Sequence, residues 1–529
     1  MPSPAATWRW PPLGITSAVF VVVLLVKMLF PMFSDPDFYW HLKTGEWLLS
    51  TRSLSAGEPF TYTHAGAPLL HNEWLFQVLL ALVFQAGGFI GVSLAVTAIH
   101  TAAWYLTFLS CRTVLASDAK ALVVTLFFCG TFGTVAPRPH LFTFLFFAWL
   151  AYLIVRFKYR GSTRHLWTLP VVMVPWANIH GGFFLGIVLM VAFAGAEWLM
   201  WFWRGGTDAE AKARLWKLSL CIAAAFVATL INPHFLTLWW YPFHAIVKSG
   251  DTSAISEWQS PNFHMMGFQY FLITVAIFWL GAVLARKKPD LTELLVPSIF
   301  IGGALYSARN IPLAALTMAP FFSVFLTSVA MTNDEKSPLA DRSSNTPPAW
   351  KARLSALLAA GNRDVGEAAS WPNWLLVGFS AIVLLVIYPI HAKTLDQAIA
   401  QTLPVNATDF LIANHITGRM FNTYHTGGYL LYRLPPGQKV FTYPRTDFYR
   451  PEFLKENLAI YSGDPSWKKL FDKYDIEFVV CESAAPLRQL LREGGEFKLV
   501  YDDGLHSVLL RDIERFRPLI AKFHREPHD

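Results

Sequence analysis

A succession of long apolar runs constrains this chain more than any other feature. Runs long enough to cross a bilayer, alone or with tilt, occur at 13–33, 75–112, 119–136, 139–157, 166–179, 182–203, 217–232, 267–285, 291–307, 311–331 and 373–392. The composition agrees, because 54% of the 529 residues are hydrophobic and only 15% are charged. These values predict a mainly α-helical, polytopic membrane protein with about eleven transmembrane helices.

The basic residues predict the orientation of these helices. They occur in short clusters at 156–164, 204–217 and 286–288, and again in the polar stretch 333–371. The positive-inside rule places all four connections in the cytoplasm, and two crossings separate each from the next. The net charge of +7 is therefore attributed to topology, and no nucleic-acid partner is expected. The N-terminus is expected inside and the C-terminal part outside.

One apolar run is longer than a single crossing requires. The run 75–112 is interrupted by Gly87-Gly88. A cytoplasmic N-terminus requires an odd number of crossings here, so we expect a juxtamembrane helix at 74–86 and one crossing from Phe89 to about Arg112. Two crossings within this run are the alternative.

Composition divides the chain into four parts. We expect a transmembrane core at 1–332 with a first outer loop at 34–74, a cytoplasmic linker at 333–372, a last transmembrane helix at 373–394 and a small outer α/β domain at 395–529. The elements expected in the last part are strands at 439–443 and 477–481, helices at 467–473 and 487–491, and a hairpin at 497–501 and 506–510.

A polar stretch directly follows the first apolar run. It contains Asp35, Asp37, His41 and Lys43, placed where the chain leaves the bilayer. The ordinary interpretation of an acidic pair at such a place is a solvated turn or a helix cap, and Asp37 is the expected N-cap if 38–49 is helical. The other interpretation is chemistry at the membrane surface.

Under the predicted topology, the connections on the outer side all carry imidazole, guanidinium, amide or carboxylate side chains. These belong to Arg138, His140, Asn178, His180, Asn232, His234, Glu257, His264, Arg309 and Asn310. A single histidine at a helix end is usually a cap, and an arginine there usually reaches the lipid headgroups. Several such residues beside a carboxylate pair favour one polar cavity.

Taken together, these features resemble the GT-C type of integral membrane glycosyltransferases. The similarity rests on the acidic motif of Asp35 and Asp37 in the first outer loop, juxtamembrane helices in that loop, about eleven crossings and an outer C-terminal domain. These enzymes take sugars from polyprenyl-phosphate or polyprenyl-diphosphate carriers. The stretch from Asp35 to Trp47 is also similar to the opening of many bacterial proteins grouped with them. The resemblance implies a multi-pass glycosyltransferase of the bacterial inner membrane, acting on its outer face.

The resemblance also implies roles for particular residues. Asp37 and Asp35 are the expected catalytic carboxylates, and a divalent metal such as Mg or Mn would bind the same pair. Arg138, Arg309, Lys43 and His180 are the expected partners of the donor phosphate. The other residues expected in the cavity are His41, His140, Asn178, Asn232, His234, Glu257 and Asn310.

A second motif concerns the acceptor. The segment from Phe421 to Leu430 is placed like the Trp-Trp-Asp-Tyr-Gly segment of oligosaccharyltransferase catalytic subunits, which implies acceptor-side roles for Asn422, Tyr424 and His425. Because Asn-Thr-Tyr-His replaces that signature, recognition of an Asn-X-Ser/Thr acceptor is not implied. The glycine pair that follows lacks either nucleotide-binding spacing, so no nucleotide cofactor is expected.

Two other classes of protein fit parts of the pattern. A transporter or flippase of a lipid-linked sugar would also have many crossings and buried polar residues, although transporters place those residues near the midplane and often contain repeats. A non-catalytic membrane scaffold with an outer binding domain is the third possibility.

Overall fold

The computed structural model describes residues 15–27, 33–54, 57–115, 117–131, 136–240, 256–330, 370–445 and 447–524. Residues 1–14 and nearly all of the predicted linker at 333–372 lie outside these ranges. The helices of the membrane part are α1 (Ile15–Lys27), α2 (Pro36–Thr51), α3 (Trp74–Leu115), α4 (Asp118–Cys129), α5 (His140–Arg160), α6 (Thr168–Ile179), α7 (Phe183–Trp203), α8 (Ala209–Ala228), α9 (Met266–Leu284), α10 (Leu291–Tyr306), α11 (Ile311–Ala330) and α12 (Ser370–Thr402).

Several of these helices can cross a membrane. Five stretches of the described residues are long and apolar enough: Trp74–Leu115, His140–Arg160, Phe183–Trp203, Met266–Leu284 and Ala308–Val329. Shorter apolar helices lie at Thr168–Ile179, Leu291–Tyr306 and Asn373–Leu384. The chain is therefore a multi-pass helical protein, whereas the number eleven stays a prediction. The expected span 119–136 is helical only to Cys129, and 217–232 continues a helix whose first turns are polar.

The break expected in the long second run is present. α3 is interrupted at Gly88, whose φ of 56° and ψ of −149° lie outside the helical region. A glycine adopts this backbone conformation without steric penalty, whereas residues with a Cβ do not. The break separates a first part at 74–87, which packs against α2, from a longer part that ends at Leu115.

The C-terminal part combines helices with a four-stranded sheet. Its helices are α13 (Val405–Ala413), α14 (Gly427–Arg433), α15 (Pro451–Ser462), α16 (Trp467–Tyr474), α17 (Pro486–Gly494) and α18 (Arg517–Phe523). Its strands are β1 (Met420–Asn422), β2 (Phe478–Glu482), β3 (Phe497–Asp502) and β4 (His506–Arg511), in the order β1-β2-β4-β3. β1 and β2 are parallel, and the other neighbours are antiparallel. The predicted hairpin, the strand near 477–481 and both predicted helices are therefore present.

The strand predicted at 439–443 is wrong. Val440 makes only an isolated parallel bridge, and its partner is Thr61, between α2 and α3. The Thr63 hydroxyl donates to the Phe441 carbonyl at 2.8 Å, and the Asn422 side chain accepts from the Phe441 N–H at 2.9 Å. The backbone groups of this segment are thus satisfied by the connection between α2 and α3 and by a side chain, and not by a neighbouring strand.

The segment between α1 and α3 and the C-terminal part share one hydrophobic core. Trp40 and Phe60 belong to the same buried cluster as Phe421, Phe441 and Tyr443. The Tyr443 hydroxyl also donates to the Glu58 carboxylate at 2.9 Å. The two regions, separated by more than three hundred residues in the sequence, therefore pack as one unit at one end of the helical bundle.

A glycine permits a close approach between α14 and the start of α2. A Cβ placed on Gly428 of α14 would lie 2.5 Å from the Pro36 carbonyl oxygen at the start of α2. We expect Gly428→Ala to lower the free energy of unfolding by about 1–3 kcal/mol, because backbone would have to move. Thermal unfolding of the purified protein measures this effect. Gly378→Ala, at an open position in α12, is the matched control and should be neutral or stabilising; an equal effect of both changes would contradict the tight contact.

Candidate active site

The site begins at the N-terminus of α2. Asp35 is the N-cap: its side chain accepts the Asp37 N–H at 2.9 Å, and Pro36 occupies the first helical position. The expectation that Asp37 caps the helix is therefore wrong, because proline is favoured in the first turn and starts the helix two residues earlier than 38–49. Asp37 lies within that first turn, and its carboxylate meets other partners.

One guanidinium binds both carboxylates. Arg138 Nε and Nη2 donate to the two oxygens of Asp35 at 2.5 and 2.9 Å, which is a bidentate pair. The same Nη2 lies 3.2 Å from Asp37 Oδ2. The other oxygen of Asp37 accepts from the Trp40 indole N–H at 3.2 Å. The acidic pair and Arg138 thus form a compact ionic group, although 103 residues separate Asp35 from Arg138.

A third carboxylate extends this group to a second arginine. Glu257, on a single 3₁₀ turn at Ser256–Trp258, lies 3.4 Å from Arg138 Nη1 and 3.6 Å from Arg309 Nη1. We call Asp35, Asp37, Arg138, Glu257 and Arg309 the ionic cluster. Its members come from four separate segments of the sequence, and the structure brings them together at the end of the bundle beneath the C-terminal part.

His180 lies beside the ionic cluster, and one of its ring nitrogens faces the guanidinium of Arg309. Trp176 Nε1 donates to the Thr143 hydroxyl at 2.9 Å, which leaves that hydroxyl to donate to His180 Nδ1 at 2.8 Å. The Gly182 N–H also points to His180 Nδ1 at 3.0 Å. Since this network makes Nδ1 an acceptor, the neutral ring carries its proton on Nε2. His180 Nε2 lies 3.3 Å from Arg309 Nη2, so an anion that accepts from both would satisfy both.

Burial tunes the titratable groups of the site. It raises the pKa of Asp37 to about 6, with the positive charge of Arg138 acting in the opposite direction. Burial lowers the pKa of His180 well below its usual value, and Arg309 lowers it further. Asp37 is therefore ionised at neutral pH yet close enough to titration to accept a proton, whereas His180 is neutral.

A second polar layer lies behind Trp40. His41 stacks on the Trp40 ring with 3.7 Å between centroids, and its Nδ1 lies 3.3 Å from Gln77 Nε2. His41 Nε2 is 3.9 Å from a Glu73 carboxylate oxygen. Burial, together with the nearby negative charge of Asp447, raises the pKa of Glu73 to about 8. Trp40, Gln77 and Glu73 were not among the residues predicted for the site. The i, i+4 spacing of Glu73 and Gln77 was a usable signal.

The raised pKa of Glu73 predicts a pH-dependent stability effect. The carboxyl is protonated in the folded protein at neutral pH, so its stabilising contribution is present below the unfolded pKa near 4.5 and is lost as pH rises through about 8. Because the side chain keeps 18% of its exposure, we expect Glu73→Gln to be more stable than wild type by about 1 kcal/mol at pH 8 and equal to it at pH 5.

Thermal unfolding at several pH values measures this difference. Glu452→Gln, on an exposed turn of α15, is the matched control and should show no such trend. A Glu73→Gln protein that tracks wild type across this pH range would show that Glu73 ionises normally.

Three other predicted site residues have their partners outside the ionic cluster. Lys43 pairs with Glu46 at 3.6 Å on α2. Asn178 accepts from the Trp74 indole and donates to two backbone carbonyls, so its amide has structural partners. Asn310 donates to the Gly303 carbonyl at 3.1 Å. The contacts of Asn178 and Asn310 hold helix ends, whereas the Lys43–Glu46 pair lies within α2.

Of three further predicted residues, Asn232 and His234 form a turn, and His140 lies close to the site. Asn232 accepts the His234 N–H at 2.7 Å and donates to the Thr229 carbonyl at 2.7 Å, which stabilises the turn after α8. His140, at the start of α5, lies nearer: its ring centroid is 6.5 Å from that of His180. His140 therefore belongs to the surroundings of the two facing donors.

The three predicted acceptor-side residues differ in how deeply their side chains are buried. Asn422 is fully buried and binds the 441–442 backbone through both ends of its amide, so it holds β1 to the neighbouring segment. Tyr424 is half-buried and His425 is exposed, with 5.7 Å between their ring centroids. Tyr424 and His425 therefore remain the surface-facing members of this group.

The acidic pair does not fit a divalent metal in this arrangement. All four oxygens of Asp35 and Asp37 lie against donors, three of them against Arg138 and one against Trp40. Among the described residues, no group of three His, Cys, Asp or Glu side chains is arranged to hold a metal ion. The guanidinium of Arg138 supplies the positive charge beside the pair.

The arrangement of the whole chain is similar to that of known membrane enzymes. AglB, the archaeal oligosaccharyltransferase from Archaeoglobus fulgidus in complex with an inhibitory peptide and a dolichol-phosphate, aligns with 94% of this chain and 74% of its own, with a TM-score of 0.50 and 10% identity. ArnT from Cupriavidus metallidurans bound to undecaprenyl phosphate aligns with 93% of this chain and 97% of its own, with a TM-score of 0.48 and 13% identity. No protein-family model and no curated protein match the sequence. The likeness to AglB shows that the chain has a fold of the GT-C type.

Proposed function

We propose that this protein is a membrane glycosyltransferase that moves a sugar from a polyprenyl-phosphate or polyprenyl-diphosphate carrier to an acceptor on the outer face of the membrane. The observation that carries the proposal is the convergence of Asp37, Arg138, Glu257 and Arg309, with His180, at one end of a GT-C-type bundle. AglB and ArnT were solved with dolichol-phosphate and undecaprenyl phosphate, which supports a polyprenyl-linked donor here.

The residues of the site divide into two roles. Asp37 is the proposed general base, because its pKa of about 6 leaves it ionised at neutral pH and its carboxylate is held by Arg138 and Trp40. Arg309 and His180 are the proposed phosphate partners, because their N–H groups face each other across 3.3 Å. Arg138 was expected to bind phosphate. Its contacts with three carboxylates instead suit a positioning role.

The proposed transfer uses only these side chains and the two substrates. The acceptor atom forms a bond to the anomeric carbon while the bond from that carbon to the phosphate oxygen breaks. The acceptor's proton moves to the Asp37 carboxylate, and the bonding electron pair leaves with the phosphate. Arg309 and His180 stabilise the charge that develops there.

Turnover of a labelled donor tests the proposal. Purified protein is incubated with a radiolabelled polyprenyl-phosphate sugar and a membrane extract as the source of acceptor. A glycosyltransferase converts the donor into sugar-bearing product and free polyprenyl phosphate. Intact donor that only changes leaflet in sealed vesicles would instead identify a transporter or flippase. If the donor is neither converted nor moved, the remaining interpretation is a non-catalytic scaffold.

The orientation is proposed from the charge pattern. The ionic cluster and the C-terminal part at 395–529 would lie on the outer, periplasmic side, and the linker at 333–372 would lie in the cytoplasm. A periplasm-active reporter fused after residue 529 is expected to be active. The same reporter inserted within 333–371 is the matched control and should be silent. The reverse pattern with normal expression would contradict the orientation and action at the outer face.

A further inference from the structure

A basic cavity lies at the end of the bundle opposite the ionic cluster. It has a volume of about 670 Å³ and is lined by Leu109, Arg112, Thr113, Tyr152, Arg156, Arg160 and Ser162. α5 connects the two ends: His140, beside the site, starts this helix of 21 residues and Arg160 ends it. At 1.5 Å per residue the helix is about 30 Å long, which is the thickness of the hydrocarbon core. The cavity therefore lies at the other membrane surface.

The positive charge of this cavity is only partly neutralised. Arg112 Nε pairs with Asp118 at 2.6 Å. Arg156 contacts only neutral partners, the Tyr152 hydroxyl at 3.4 Å and the Ser162 hydroxyl at 3.5 Å. Within the part of the chain that the structure describes, neither Arg156 nor Arg160 has a carboxylate within 4.0 Å. Three guanidinium groups with one carboxylate leave a net charge of about +2 around the opening.

The shape and polarity of the cavity indicate an amphiphile. Arg160 reaches across to α3 and donates to the Thr113 carbonyl at 2.9 Å, so both helices contribute to the polar opening. Leu109 and Tyr152 lie one to two turns deeper on the same helices and provide an apolar wall. The guanidinium of Arg156 also lies 5.6 Å from the centre of the Tyr152 ring, which orients it towards the cavity. Charges that served topology alone would not require a cavity between two helices.

We propose that this cavity binds the phosphate headgroup of an anionic phospholipid from the leaflet opposite the active site. Guanidinium groups suit phosphate oxygens because they donate two parallel hydrogen bonds, and basic pockets between helices are a recurring form of headgroup site. The acyl chains would leave along the wall formed by Leu109 and Tyr152. The site is separate from the proposed catalytic site and does not depend on the reaction.

Lipid-dependent thermal stability tests this proposal. The full-length protein in detergent is titrated with short-chain phosphatidylglycerol, with phosphatidylcholine of the same chain length, and with inorganic phosphate. We expect phosphatidylglycerol alone to raise the Tm of wild type. The double change Arg156→Gln with Arg160→Gln should weaken the apparent affinity at least about tenfold. Arg204→Gln, an exposed arginine at the end of α7, is the matched control and should behave as wild type.

A second variant keeps the test decisive if the double variant does not fold. Thr113→Trp places a large side chain in the cavity and retains all three guanidinium groups, so it should also reduce the Tm shift. A full phosphatidylglycerol shift in either variant would overturn the site. Equal shifts by phosphatidylcholine would overturn the role of charge, and an equal shift by inorganic phosphate would show a soluble anion site in place of a lipid site.

Discussion

Asp37→Asn is expected to lower turnover by about 10²–10⁴-fold, the usual contribution of a general base. Asparagine keeps the size of the side chain and an oxygen that accepts from the Trp40 indole, so the loss would come from the missing proton acceptor. Capping cannot account for it, because Asp35 is the N-cap of α2. In wild type, turnover should fall as pH decreases below about 6, since burial raises the pKa of Asp37 to that value.

The matched control for this change lies on the same helix. Glu46→Gln removes a carboxylate whose one ion-pair partner among the described residues is Lys43, at 3.6 Å and on a partly exposed surface, and should retain near-normal turnover. Initial rates of labelled-sugar transfer, measured from pH 5 to 8, compare the two variants with wild type. Turnover by the Asp37→Asn protein within a few-fold of wild type would show that Asp37 is not the base.

Arg138→Gln is expected to have the largest effect on stability, a loss of about 3 kcal/mol in the free energy of unfolding. The change leaves Asp35, Asp37 and Glu257 close together without their shared counter-charge. We place the value at the lower end of the range for buried ion pairs because the Arg138 side chain retains 21% of its exposure. Since Arg138 lowers the pKa of Asp37, any activity that remains should also shift to higher pH.

Chemical denaturation and pH–rate profiles measure both effects. Arg419→Gln is the matched control, because that arginine pairs with Asp475 at 3.2 Å on an exposed surface and should contribute less than about 1 kcal/mol. Adding Asp35→Asn to Arg138→Gln removes one uncompensated carboxylate and should restore part of the lost stability. If Arg138→Gln unfolds like the Arg419 control, the ionic cluster does not stabilise the fold.

The membrane class and the acidic motif could be predicted from the sequence because both depend on local signals. Hydropathy identified the helices, and the glycine pair located the break in α3 at Gly88. The placement of Arg138, Glu257 and Arg309 near Asp37 required only that their connections share one membrane face. Such an argument identifies the face of the membrane but not the partners, so the sequence could not distinguish Arg138 from Lys43.

The features that the sequence did not predict depend mainly on contacts between distant segments. The segment 439–443 has the apolar and β-branched composition of a strand. Its one bridge partner is Thr61, and no local sequence pattern indicates that pairing. The N-cap was assigned to Asp37 because the helix was started at Phe38 instead of Pro36. The layer of Glu73, Gln77 and His41 became visible only when α2 was packed on α3.

The proposed donor site can be tested directly by a structure with a bound donor. The most direct measurement is a cryo-EM structure of the protein with a polyprenyl-phosphonate sugar, in which carbon replaces the anomeric oxygen so that transfer cannot occur. We predict that the phosphonate lies within hydrogen-bonding distance of both Arg309 Nη2 and His180 Nε2, with the anomeric carbon beside Asp37. A phosphonate bound elsewhere, with Arg309 and His180 still 3.3 Å apart and making no contact with it, would contradict the proposed site.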